Sequence, residues 1–171
     1  EEPLPAGGSC LLGSINLSEF VQNPFTDHAQ FDFEGLKHCV EVSVGALNEV
    51  LEEGLPLHPL KEQQESVGQW RQIGLGIMGL ADCLIKLGLT YGEEDAIEMC
   101  DNIGFAMADS AIAASAMLAK EKGAFEKCNI DEIMSTPYFE ANTSEKTREL
   151  VRKYGLRNSQ LLTIAPTGTL S

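Results

Sequence analysis

Aromatic side chains are scarce in this sequence: one Trp, three Tyr and seven Phe make up 6% of it. A core must therefore be packed by aliphatic residues, Ala and Met rather than by rings. Basic residues are also few, 12 Lys and Arg against 26 Asp and Glu, giving a formal net charge of -14. No basic stripe runs along the chain, which argues against DNA, RNA or an anionic membrane as partner. A nucleotide would have to be held by backbone amides and helix ends more than by lysines. The five cysteines, at 10, 39, 83, 100 and 128, are odd in number and include no Cys-x-x-Cys pair. That spacing fits neither a zinc site nor a secreted disulfide framework, so reduced thiols, a cytoplasmic location and no metal are expected. Long apolar runs are missing too. The most apolar stretch, Ile103 to Ala119, is interrupted by Asp109, Ser110 and Ser115. It reads as too polar and too short to span a bilayer, so a soluble protein is expected.

What is present is ordinary globular material: 171 residues, 43% hydrophobic and 22% charged, enough for one domain with a sizeable core. The chain opens at Glu1-Glu2-Pro3 without an initiator Met and stops at Ser171, and the expectation is a piece of something longer. Residues 1–9 hold two Pro and two Gly and cannot be regular structure. Cys10 to Leu17 reads as a short strand, with Gly13 as a bend or a close backbone approach. Residues 18–30 are loop-like. From Asp32 to Glu53, apolar residues at three- and four-residue steps predict an amphipathic helix closed by Gly54 and Pro56. Glu62 to Leu87 reads as one long helix. At its centre Gly74-Leu-Gly-Ile-Met-Gly79 formally satisfies G-x-G-x-x-G. That fingerprint must follow a strand and open a helix, and the stretch before it is polar and helical in pattern, so the dinucleotide reading is rejected. A further helix, rich in Ala and Met, runs from Glu93 to about Lys122, with acidic residues at its start, lysines near its end and Gly123 after it. Residues 124–144 are irregular, with a short helix near Asp131 to Met134 and a break at Pro137. Ser144 to Tyr154 is a short charged helix capped by Thr143 or Ser144 and stopped by Gly155. The class is mainly α with short strands.

The chain closes on Asn158 to Ser171. Leu161 to Ile164 has the length and β-branched content of a buried strand, and it feeds into Ala165-Pro166-Thr167-Gly168-Thr169. Glycine and hydroxyl residues after a strand can converge backbone N–H groups on a phosphate. From these residues alone an ordinary Pro/Gly turn is the other reading.

Three stretches in series, Gly8-Ser-Cys-Leu-Leu-Gly-Ser-Ile-Asn-Leu17, Arg71-Gln-Ile-Gly-Leu-Gly-Ile-Met-Gly-Leu-Ala-Asp82 and Asn158 to Ser171, resemble the catalytic subunit of ribonucleotide reductase. Their order and spacing cover nearly the whole chain. Glu-Glu-Pro-Leu-Pro running into the Ser-Cys motif is closer to the adenosylcobalamin-dependent class, and the metal-radical class is the alternative within the family. The resemblance implies one segment, residues 1–171, from the C-terminal part of a ten-stranded α/β barrel domain. The parent would reduce ribonucleotides, in the first instance diphosphates, to 2'-deoxyribonucleotides for DNA replication by thiyl-radical chemistry.

Residue roles follow only from that likeness. Glu1 matches the last residue of the family's Asn-x-Cys-x-Glu motif, whose Glu is the general base on the ribose 3'-hydroxyl. The radical Cys would stand two residues ahead of Glu1. Cys10 matches the second member of the redox pair that supplies reducing equivalents, its partner lying far upstream. Thr167, Gly168, Thr169 and Ser171 match the loop for the substrate phosphates. The glycines at 74–79 match a structural stretch. Adenosylcobalamin, nucleotide effectors and a thioredoxin-type reductant are implied for the parent, and homo-oligomers are compatible with exposed strand edges. The segment alone, lacking the radical Cys and the partner thiol, is expected to be inactive. The rival from another class is an acidic helical interaction domain with no chemistry.

Overall fold

Alternation of core-facing and open positions at Leu11–Asn16 produces the first strand, β1. The computed structural model of the chain describes residues 3–166, 168 and 170. A 3-10 turn at Leu17–Phe20 follows, held at its start by the Asn16 side chain, which accepts from the Ser18 N–H. Residues expected to be loop then form a small antiparallel ribbon, β2 (Val21–Gln22) with β3 (Gln30–Phe31).

Asp32 caps α1 (Phe33–Gly54) by accepting from the Gly35 N–H. The stripe Leu36, Val40, Val44 and Leu51 is buried, each side chain contributing about 1.5–3 kcal/mol relative to exposure. A 3-10 turn at Leu55–Leu57 leads to α2 (Lys61–Trp70).

The helix expected over Glu62–Leu87 is three elements. After α2 comes β4 (Ile73–Met78), then α3 (Leu80–Leu87). The break lies at Arg71, which adopts a left-handed conformation at φ 50° and caps α2 without a glycine. Ile73, Leu75 and Ile77 alternate with Gly74 and Gly76, a period of two that belongs to a strand. The G-x-G-x-x-G residues therefore lie on a strand and at the strand–helix junction, where Gly79 opens α3 at φ 69°.

Helix α4 (Glu94–Lys122) is 29 residues long. By length and composition it could cross a membrane, contrary to the reading of Ile103 to Ala119 as too short, but 56% of its most apolar window is buried here. Its small residues let α1 and α7 approach closely: Ala111 and Ala116 are fully buried. Two short helices follow, α5 (Ile130–Met134) and α6 (Pro137–Ala141). Pro137 does not break structure. It stands at the first turn of α6, where its missing N–H costs nothing, with Thr136 as N-cap. Ser144 caps α7 (Glu145–Tyr154).

Strands β1 and β4 pair in parallel, Leu11 opposite Ile73 through Asn16 opposite Met78. The closing segment lies along the other edge of β4, with a parallel bridge between Leu75 and Leu162. Leu75 N–H donates to Leu161 O at 2.8 Å and Thr163 N–H donates to Leu75 O at 3.1 Å. Three parallel segments joined by helical crossovers, with the core between β1, β4, α1 and α4, are an α/β arrangement within a mainly helical chain.

Candidate functional site

The sheet has one face against helices and one without them. Leu11, Gly13 and Ile15 of β1 and Ile73 and Leu75 of β4 point at the helical layer, where Gly13 sits against Leu47. The alternate positions, Leu12, Ser14, Gly74, Gly76 and Met78, share the other face, with Leu12 59% exposed.

Cys10 enters this face immediately before β1. It is half-buried and not in a disulfide. Its Sγ lies 2.7 Å from the point where a Cβ on Gly74 would stand, and the Thr163 Cγ2 lies at the same distance from that point. A Cβ on Gly76 would stand 2.5 Å from the Thr163 carbonyl oxygen. The two glycines are what let the closing segment and the Cys10 thiol come together over β4. They serve close approach, as expected, though on a strand and not within a helix.

The closing segment leaves β4 at Ile164, which is 61% exposed, and continues through Ala165 and Pro166. Gly168 is exposed, with no atom within 4 Å of where its Cβ would be, so no close contact among the described residues demands glycine there. Glu1, Thr167, Thr169 and Ser171 lie outside the described residues.

A polar cluster that sequence reading missed ties the helices to the sheet at the strand entries. Arg71, 6% exposed, donates through Nη2 to Glu52 Oε1 at 2.9 Å and to Asn48 Oδ1 at 3.1 Å. Arg157 donates to the same Glu52 oxygen at 3.0 Å and to the Lys122 and Gly123 carbonyls. Asn158, fully buried, donates to the Arg71 carbonyl at 2.9 Å and accepts from Ser115 Oγ. Lys122 completes the cluster against Glu49 and Glu52. Burial alone would raise the Glu52 pKa, but hydrogen bonds from Arg157 and Asn48 and the charge of Arg71 hold it below the usual carboxylate value. Burial and the neighbouring Arg157 lower Arg71. A signal was available: Asn48 interrupts the apolar stripe of α1 between Val44 and Leu51, a polar residue at a core position that needs partners.

Nearer Cys10, Gln72 donates through Nε2 to Gln160 Oε1, and Gln160 donates through Nε2 to the Pro3 carbonyl at 3.1 Å. On the helical side a cleft of about 430 Å³ opens between β4, α3, α4 and α6, lined by residues such as Ile77, Cys100, Met107 and Tyr138. Cys83 is buried and its thiol is pushed up to about 11 by burial and by Cys100, so it is inert at neutral pH. Cys39 and Cys128 are half-buried against the core, as expected. Among the described residues no group of three His, Cys, Asp or Glu side chains is placed to hold a metal ion.

Comparison with known proteins agrees with the three-stretch likeness. The family model for the ribonucleotide reductase barrel domain matches residues 1–171. A ribonucleoside-diphosphate reductase subunit alpha of Chlamydia pneumoniae is 34% identical across 95% of the chain. A vitamin B12-dependent ribonucleoside-diphosphate reductase of Thermoplasma acidophilum is 35% identical across the whole chain. A ribonucleoside-diphosphate reductase large chain of Cryptosporidium parvum is 31% identical across 95% of it. The chain spans 17%, 19% and 21% of these relatives' lengths, respectively.

Proposed function

The chain belongs to the ribonucleotide reductase barrel-domain family, and from that premise we propose that residues 1–171 are one segment of the catalytic barrel of an enzyme reducing ribonucleoside diphosphates. The observation that carries the reading is the junction over Gly74, where the Cys10 thiol meets the segment leading into the 165–171 loop. A reductant thiol and a phosphate loop have to serve the same ribose, and parallel pairing through β4 brings the two elements that would carry them to one open face.

In the proposed reaction a thiyl radical upstream of Glu1 takes the 3'-hydrogen while the Glu1 carboxylate takes the 3'-hydroxyl proton. The 2'-hydroxyl leaves as water. Cys10 and its upstream partner supply two protons and two electrons, one proton going to the departing hydroxyl and the other, with the electrons, to C2', and close a disulfide. The abstracted hydrogen then returns to C3'. A thioredoxin-type reductant then reopens the disulfide. Backbone N–H groups of the 165–171 loop and the hydroxyls of Thr167, Thr169 and Ser171 hold the phosphates, a solution suited to a chain with so few basic residues. The ten-stranded barrel is part of this proposal, the three parallel segments being its local share.

Vitamin B12-dependent relatives support adenosylcobalamin in the parent, where it would supply the radical chemistry. Other relatives of similar identity are not described as B12-dependent, which keeps the metal-radical class as the second reading.

The test is made in the full-length reductase. Replacing Thr167 and Thr169 together by Ala should weaken ribonucleoside diphosphate binding about tenfold by calorimetry, as expected when two charge-assisted contacts go. Unchanged affinity would remove the phosphate assignment.

A further inference from the structure

We propose that Gln72 and Gln160 are positioning residues that set where the Cys10 thiol stands relative to the closing segment. The kinetic part of this proposal rests on the reductase reading; the structural part does not.

Residues 3–9 have no ladder of their own, yet they deliver Cys10 to β1. Three contacts pin them. The Gln160 amide donates to the Pro3 carbonyl. Gly8, whose N–H donates to Pro5 O at 2.8 Å, lies against Gln72: a Cβ there would stand 3.0 Å from Gln72 Oε1. Gly7, at φ 71°, packs on the first turn of α2, with the Glu62 carbonyl oxygen 2.8 Å from where its Cβ would be. Gln72 and Gln160 each stand immediately before a segment of the parallel sheet, and the hydrogen bond between them joins those two entries. The relay Gln72–Gln160–Pro3 thus connects the entries of all three segments: β4, the closing segment and, through residues 3–9, β1.

Gln72 is 3% exposed and keeps Oε1 buried without a hydrogen-bond partner among the described residues. An apolar side chain would fill the space without that cost, so packing alone does not account for an amide here. What the amide adds is direction. Its Nε2 holds the Gln160 side chain in an orientation from which the second amide reaches Pro3, at the surface. A thiol that must reach both a ribose 2'-position and a partner sulfur tolerates little displacement.

The experiment uses the full-length reductase with Gln160→Glu, which loses the donor to Pro3, and Gln160→Met, which loses both polar ends without adding charge. Iodoacetamide labelling of Cys10 and of buried Cys83 is followed by peptide mass spectrometry, beside kcat and KM. The proposal expects Cys10 to label about threefold faster or more in both variants while Cys83 stays as slow as in the wild type, the mark of local and not global opening. It expects kcat to fall about ten- to a hundredfold with KM nearly unchanged, because substrate still docks but the thiol is misplaced. Cys10 labelling at the wild-type rate, or rising in step with Cys83, would overturn it. A wild-type enzyme that reduces no ribonucleotide would instead remove the reductase reading, and the labelling ratio would still decide the positioning role.

Discussion

At Glu52, one carboxylate oxygen accepts from two arginines drawn from elements far apart in sequence. Its pKa is lower folded than unfolded, so this carboxylate contributes stability that is complete above its ordinary value of 4.5 and is lost as pH falls through the lower folded value. Glu52→Gln should cost about 1–2 kcal/mol at pH 7, since a neutral amide leaves two guanidinium groups facing each other. It should also flatten the loss of stability between pH 5 and the acid limit, measured by denaturant unfolding across that range. An equal slope in both proteins would mean that Glu52 is not the group titrating. None of these partners was legible in the sequence. Asn48 was visible as a polar residue in an apolar stripe, but that Arg71, 23 residues away, would reach it depends on the fold.

Among the elements, α1 and α7 were legible because their stripes and caps agree: Asp32 and Ser144 accept from the backbone N–H groups that an N-cap should satisfy. Helix α6 was not, because the Pro137 that opens it reads as a break. Strand β4 was not. The polar pattern of α2 runs without a glycine stop into Arg71, so helix periodicity carries on past the true break, and the two-residue period is carried partly by glycines that have no side chain to signal it. The glycines themselves make a test. Gly76→Val would drive its side chain into the Thr163 carbonyl and push the closing segment off β4. Amide exchange at Leu75 and Thr163 should then quicken about tenfold or more, while amides in the middle of α4 keep their protection. Unchanged exchange would show that the closing segment is not held by this edge. Gly74→Ala should cost about 1–3 kcal/mol by overpacking, because Cys10, Leu12 and Thr163 crowd the same point.

Across the whole molecule, the sheet has a helical face and an open one, and the Cys10 thiol lies on the open one. The family and the mainly helical class were legible because three motifs survive in linear sequence. The junction of Cys10 with Thr163 was not, since it joins residues more than 150 positions apart through strand pairing. The central claim, that Cys10 is one of the two thiols that reduce the substrate, is tested most directly by Cys10→Ser in the full-length reductase, with its radical cofactor and excess dithiol present. The prediction is that steady deoxyribonucleotide production is lost by about a thousandfold, while diphosphate affinity and thermal stability hold. Steady turnover at the wild-type rate would contradict it and leave Cys10 as a strand thiol with no part in the chemistry.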